Sequence, residues 1–201
     1  MNSELIDQLN IQLGANGLPY TIPIHPNLVH LTLGLFIIGI TFDIVGVLFP
    51  WDKWVFKFLA ITVERENFFD VGWYNMVGST VITFFTVAAG FYEMFLAAPS
   101  ADIKSTWGLQ AMQTMLWHGV GGVFLLGLIA VMTLWRAWQR YVWSVGEVTQ
   151  VQWSYLAAGV AIMFIMYLHG TLGAQLAAEF GVHNTADSLL RLGEDLNTVL
   201  K

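Results

Sequence analysis

The residues in this chain whose type and placement suit chemistry are its five histidines. His25 and His30 stand in the run Ile24-His25-Pro26-Asn27-Leu28-Val29-His30. His118 and His169 lie inside long apolar stretches, and His183 follows the last of these. An imidazole in hydrocarbon is costly without a partner, so a histidine inside a membrane span is a functional candidate by default. His118 lies about nine residues into its stretch, and His169 about eleven from the end of its own. At about 1.5 Å per residue the two depths agree to within one turn, and antiparallel helices would bring the rings level. Two facing imidazoles at one depth suit axial ligation of a haem iron, each giving one nitrogen. Gly119, Gly121 and Gly122 beside His118, and Gly170 and Gly173 beside His169, would help a flat macrocycle fit. Trp117, Tyr167 and Phe164 are the candidate lining. The same pair also suits a chlorophyll or quinone site, a divalent metal, or plain interhelical hydrogen bonds.

His25 and His30 are five apart, about 140° around a helix, so they would not share a face if both were helical. His25 precedes Pro26 and is expected outside the helix. These two are candidates for a joint site at the rim, or for a further ligand or supporting group to the inner pair. His183 is expected to be solvated. Four other polar positions invite the same question. Asp43 lies inside the first apolar stretch and must face inward to a hydrogen-bond partner or be protonated. A structural role and a proton relay are both open to it. Glu93 is placed to hydrogen-bond a ligand histidine or to sit at the membrane surface. Arg136 and Arg140, one turn apart at a helix end, read as helix C-terminal charges and lipid anchors.

What must position these groups is a set of membrane helices. Hydrophobic residues make up 56% of the 201 residues and charged residues 11%, and mean hydropathy is +0.62. A soluble domain carries about 25% charge, so this chain must expose apolar surface to lipid. Four stretches reach the roughly 20 residues that cross a bilayer: 28–49, 73–96, 109–138 and 153–180. Pro26 suits the start of the first, while Pro50 and Pro99 follow the first and second. The glycines inside the spans allow close helix packing. The fold class expected is an all-α membrane protein, a four-helix transmembrane bundle over 24–182. A short amphipathic N-terminal segment (1–23) precedes it and an amphipathic C-terminal helix (183–201) follows it.

Four spans put both termini on one side, here side A, together with all five histidines. Side B carries Lys53, Lys57, Arg65, Arg136 and Arg140, against Lys104, Arg191 and Lys201 on side A. The positive-inside rule then puts side B in the cytoplasm and side A in the periplasm or a thylakoid-type lumen. The membrane is expected to be a bacterial inner membrane or a thylakoid. No signal peptide of the usual form opens the chain, so the first span is expected to direct insertion. A net charge of −6 argues against nucleic acid as a partner. The absence of cysteine excludes disulfides and thiolate-held metal clusters. There is no phosphate-binding loop, dinucleotide fingerprint or hydrolase motif. The aromatic 51–72 loop, with Trp51, Trp54, Phe56, Phe58, Phe68 and Phe69, suits an interfacial belt or a docking surface for another membrane subunit.

His25-Pro26-x-x-Val29-His30, running on to Leu33, Gly34, Leu35, Phe42 and Asp43, resembles the opening of the membrane-protein family called domain of unknown function 2231. Tyr92-Glu93 closing the second span, His118 early in the third, and Leu168-His169-Gly170-Thr171-Leu172-Gly173 in the fourth are similar to the rest of its pattern. The resemblance covers roughly 24–182. It implies a four-helix bundle with histidines gathered on one side. It brings no settled activity, and haem binding is the role it suggests. Gln175 and Ala174 stand where the family often has a glutamate, so no charge-dependent role is expected there. The expectation that follows is a b-type haem protein of electron transfer or haem-dependent sensing near side A. His118 and His169 would be the iron ligands, and His25 or His30 a further or supporting group. The alternative is a non-catalytic accessory subunit of a larger membrane complex, possibly photosynthetic, with chlorophyll or no cofactor.

Overall fold

The computed structural model describes residues 18–20, 22–58, 64–97, 106–143 and 150–183. Among them all regular structure is helical. Helix α1 is Ile24–Phe58, α2 is Arg65–Ala97, α3 is Thr106–Trp138, and α4 is Trp153–Ala178. A single π-turn, Gln139–Trp143, extends α3. Each helix carries a stretch long and apolar enough to cross a membrane, so the chain is an all-α membrane protein in contact with lipid. The expected amphipathic segments at the two ends fall almost wholly outside the described residues.

Successive helices pack antiparallel, and α1 closes on α4. The residues that meet between them are apolar and fully enclosed: Phe36 and Ile40 of α1, Met76 of α2, Ile129 of α3 and Tyr155 of α4. Without a hydrophobic drive between helices in lipid, close approach and hydroxyl pairs hold such a bundle together. Both are present here. Ile40 lies against the bare backbone of Gly159, and Met76 against that of Gly39. The Thr32 and Thr86 hydroxyls join α1 to α2 at 3.0 Å, and those of Thr80 and Thr133 join α2 to α3 at 2.7 Å. Outward faces carry Phe84, Phe95, Leu116, Leu134, Phe164 and Tyr167. Phe164 and Tyr167 therefore face lipid and do not line a site beside His169.

Three expectations about boundaries are corrected. Helix α1 begins at Ile24, so His25 is helical. It also runs through Pro50 to Phe58. Proline has no N–H to offer the carbonyl four residues back. The Arg65 guanidinium supplies the missing donor, with Nε 2.7 Å from Gly46 O and Nη2 3.3 Å from Val47 O. Helix α2 begins at Arg65 rather than near 73. Much of the expected aromatic loop is thus helix. Phe68 and Phe69 turn into the bundle, Phe42, Phe49, Phe56 and Phe68 stack on one another, and Trp54 and Phe58 remain exposed.

Asp43 has the inward partner its position demands, and it is Arg136. The pair is bidentate, with Nε to Oδ2 at 2.9 Å and Nη2 to Oδ1 at 3.1 Å, and both side chains are 0% exposed. Nη2 also reaches Phe69 O at 3.2 Å. Gly72 makes the room, because a Cβ there would lie 2.5 Å from Asp43 Oδ1. Arg136 is therefore no lipid anchor. Arg140, one turn on, pairs with Asp70 at 2.6 Å near the surface.

Candidate functional site

Glu93 is the residue from which the side A end of the bundle is built. It sits near the end of α2, is buried, and points its Oε1 at the start of α1. The first backbone N–H groups of a helix have no partner of their own, and a carboxylate there also meets the positive end of the helix dipole. Oε1 accepts from Ile24 N–H at 2.7 Å, His25 N–H at 3.0 Å and the Tyr20 hydroxyl at 2.9 Å. Burial, reinforced by that bond to Glu93, raises the Tyr20 phenol above its usual range and keeps it a donor. Glu93 therefore fixes the backbone of His25 and not its ring, unlike either role expected for it. Its carbonyl also accepts from His183 Nε2 at 3.1 Å. Positive φ at Gly181 and His183 turns the chain back to make that contact, with Val182 N–H closing on Leu176 O at 3.0 Å, in the manner of a helix stop. His183 is thus half-buried and bonded rather than solvated.

Removing this carboxylate tests its place. Glu93→Ala strands part-buried donors at the start of α1 and is expected to cost about 1–2 kcal/mol. Glu93→Gln keeps an acceptor oxygen and should retain most of the stability. Thermal unfolding of the purified protein in detergent reads both variants.

With α1 held in this way, the His25 ring turns inward. Its Nδ1–H donates to Thr86 O at 2.9 Å, which leaves Nε2 as the acceptor nitrogen of the neutral ring. Gly90 gives it a seat, since a Cβ there would lie 2.8 Å from the imidazole. His118 meets the His25 ring edge to face, with centroids 5.8 Å apart and planes at 84°. His169 stacks on His118, with centroids at 4.4 Å and planes within 2° of parallel. The depth match read from the two helices is therefore realised, and His25 joins the pair. His30 does not. It is exposed, and its Nδ1 bonds to Pro26 O of its own helix at 2.6 Å, so no rim site links it with His25. The signal that separates the two was their spacing of five, which puts them on different faces once α1 begins before both.

The glycines beside the rings have a use other than the one expected. A Cβ on Gly121 would lie 2.5 Å from His169 Nδ1, and one on Gly173 would lie 3.0 Å from His118 Cε1. Each imidazole rests directly on the backbone of the facing helix. His118 Nδ1 is enclosed and makes no hydrogen bond among the described residues. The outer flank of His169 opens into a cleft between α3 and α4 of about 420 Å³, lined also by Trp117, Gly121, Leu168 and Leu172. Gln113 and Thr114 join it to a wider mouth of about 700 Å³ at side A, where Gln110, Gln175 and Glu179 stand. Sequence patterning does not reveal this cleft, because it depends on how far α3 and α4 diverge.

Haem held by His118 and His169 does not fit this arrangement. Two imidazoles bound through nitrogens at about 2 Å on opposite sides of one metal have centroids about 6 Å apart with those nitrogens facing each other. Here the rings are closer and present their faces. The backbones of Gly121 and Gly173 occupy the space a macrocycle held between the two rings would need. Among the described residues no group of three or more histidine, aspartate or glutamate side chains is arranged to hold a metal ion.

No curated protein and no solved structure matches the chain. The family described as predicted membrane protein (DUF2231) matches residues 21–186, a span that takes in all four helices and every histidine. The chain belongs to that family of membrane proteins.

Proposed function

We propose that this protein binds a small lipid-soluble ligand through His169, in the cleft between α3 and α4 near side A. The carrying observation is the His118–His169 stack: one ring is enclosed with a nitrogen that has no partner among the described residues, and the other flanks a cleft at membrane depth. An unsatisfied buried polar group costs about 1–3 kcal/mol, and sites that bear such a cost are commonly functional. His25 and Glu93 act as supports. His25 packs against the inner ring, and Glu93 ties His25 to the end of α2. The ligand is smaller than a haem, for the reasons of ring spacing given above. If it is redox-active, the protein serves electron transfer, the role expected of a depth-matched histidine pair.

The test is to extract the protein purified in mild detergent and identify what it carries by mass spectrometry. About one hydrophobic small molecule per chain is expected in the wild type. It should be lost in His169→Leu and kept in His30→Leu. A wild type carrying only bulk lipid, unchanged by His169→Leu, would sink the proposal. So would a Soret band showing stoichiometric haem.

A further inference from the structure

We infer that the ligand of this cleft is a quinone-class molecule, a flat ring with hydrogen-bonding oxygens at opposite ends and an apolar tail. The inference rests on the ligand-binding reading above and adds the ligand's chemistry. Its first support is where polarity occurs. The inner cleft has polar side chains at one end, His169, and at the other, Gln113 and Thr114. Between them the lining is apolar, with Trp117 the largest residue. A ligand with one polar end would leave one of these ends without use.

The second support is length. His169 lies level with Gly121, as their contact shows. Thr114 is seven residues before Gly121 on the same helix, which is about 10 Å along the axis. With a hydrogen bond of about 3 Å at each end, a backbone separation of that order has room between the two polar ends for one six-membered ring bearing oxygens on opposite carbons. It is too short for a macrocycle and too structured for an acyl chain.

The third support is shape and access. Trp117 lines the cleft between its two polar ends. Offset stacking of a flat ring on an aromatic side chain adds to the gain from apolar burial. Trp117 and Leu168 are exposed on the membrane-facing surface, so an isoprenoid tail can leave sideways into lipid while the head stays inside. An imidazole N–H and an amide or hydroxyl donor are the groups that recognise carbonyl oxygens.

The protein in nanodiscs can be titrated with a short-tailed benzoquinone and, separately, with a monophenol carrying the same tail. Tryptophan quenching and equilibrium dialysis read the binding. Saturable binding of one quinone per chain is expected. His169→Leu, and Gln113→Leu combined with Thr114→Val, should each weaken it at least tenfold. The monophenol should bind at least tenfold more weakly and be indifferent to the change at Gln113 and Thr114. If both probes bind equally and respond only to His169→Leu, the two-ended ligand is overturned and the ligand-binding function stands. If neither binds saturably while extraction of the native protein still yields a ligand dependent on His169, the quinone class is overturned alone. If neither binds and nothing is extracted, both fall.

Discussion

Arg136→Met is expected to destabilise the bundle by about 3–5 kcal/mol, more than any other single side-chain change at side B. The reason lies in what it leaves behind. Asp43 is fully buried in the middle of four helices and takes two hydrogen bonds from Arg136. Methionine fills the space and offers no donor, so the carboxylate must stay charged without a partner or take up a proton. Phe69 O also loses its guanidinium donor. The double variant Asp43→Leu/Arg136→Met removes both charges and replaces them with apolar bulk. Replacing a buried pair in this way is often neutral or stabilising, so the double variant should recover most of the loss. Unfolding in mixed micelles, followed by circular dichroism for the wild type and three variants, gives the coupling between the two residues. Additive losses would show that the pair contributes nothing as a pair. A further consequence is functional. The pair lies far from the histidines, so the rescued double variant should keep the extracted ligand of the wild type.

Much of this architecture was legible in the residues. Four apolar stretches of bilayer length and a low charge content fix an all-α membrane bundle, because lipid leaves a helix few alternatives. The level placement of His118 and His169 follows from counting residues from the ends of two antiparallel spans. The need for an inward partner to Asp43 follows from the cost of its charge. Which partner it would be did not follow. Arg136 sits where helix-end arginines normally reach for lipid headgroups, and only the rotation of α3 shows that it turns inward. Helix ends misled for a related reason. Pro50 reads as a stop because it lacks an N–H, yet Arg65 supplies the missing donor from nineteen residues along the chain. The glycines beside the histidines indicated close approach, but not what would approach. Two imidazoles at one depth suggest a metal between them, whereas the angle of each ring depends on the backbone opposite. His183 illustrates the limit most plainly, since its contact with Glu93 needs a positive-φ turn at Gly181 that composition alone does not locate.

Gly121→Ala and Gly170→Ala are the same chemical change made on facing helices beside the same histidine, and they should give opposite results. In a helix, alanine is favoured over glycine by about 1 kcal/mol, so a glycine with free space around it should gain from the change. Among the described residues nothing lies within 4 Å of a Cβ placed on Gly170, and its variant is expected to be neutral or slightly stabilised with its ligand retained. At Gly121 the new methyl would lie 2.5 Å from His169 Nδ1 and 2.8 Å from Cε1. No carbon sits that close to a ring atom, so α3 and α4 must part or the imidazole must swing away. Overpacking of this kind costs about 1–3 kcal/mol, enough to outweigh the helix preference. The swing also removes the ring from its stack on His118 and from the end of the cleft, so ligand content should fall at least tenfold. Gly173→Ala falls between the two, since its methyl would approach His118 Cε1 at 3.0 Å and leave His169 untouched. It should lose stability while keeping more of the ligand than Gly121→Ala. Melting temperature and extracted ligand, measured on the same preparations, place the three variants in order. If Gly121→Ala melted and bound like Gly170→Ala, His169 would not be resting on the backbone of α3, and the geometry from which the binding site is argued would be wrong.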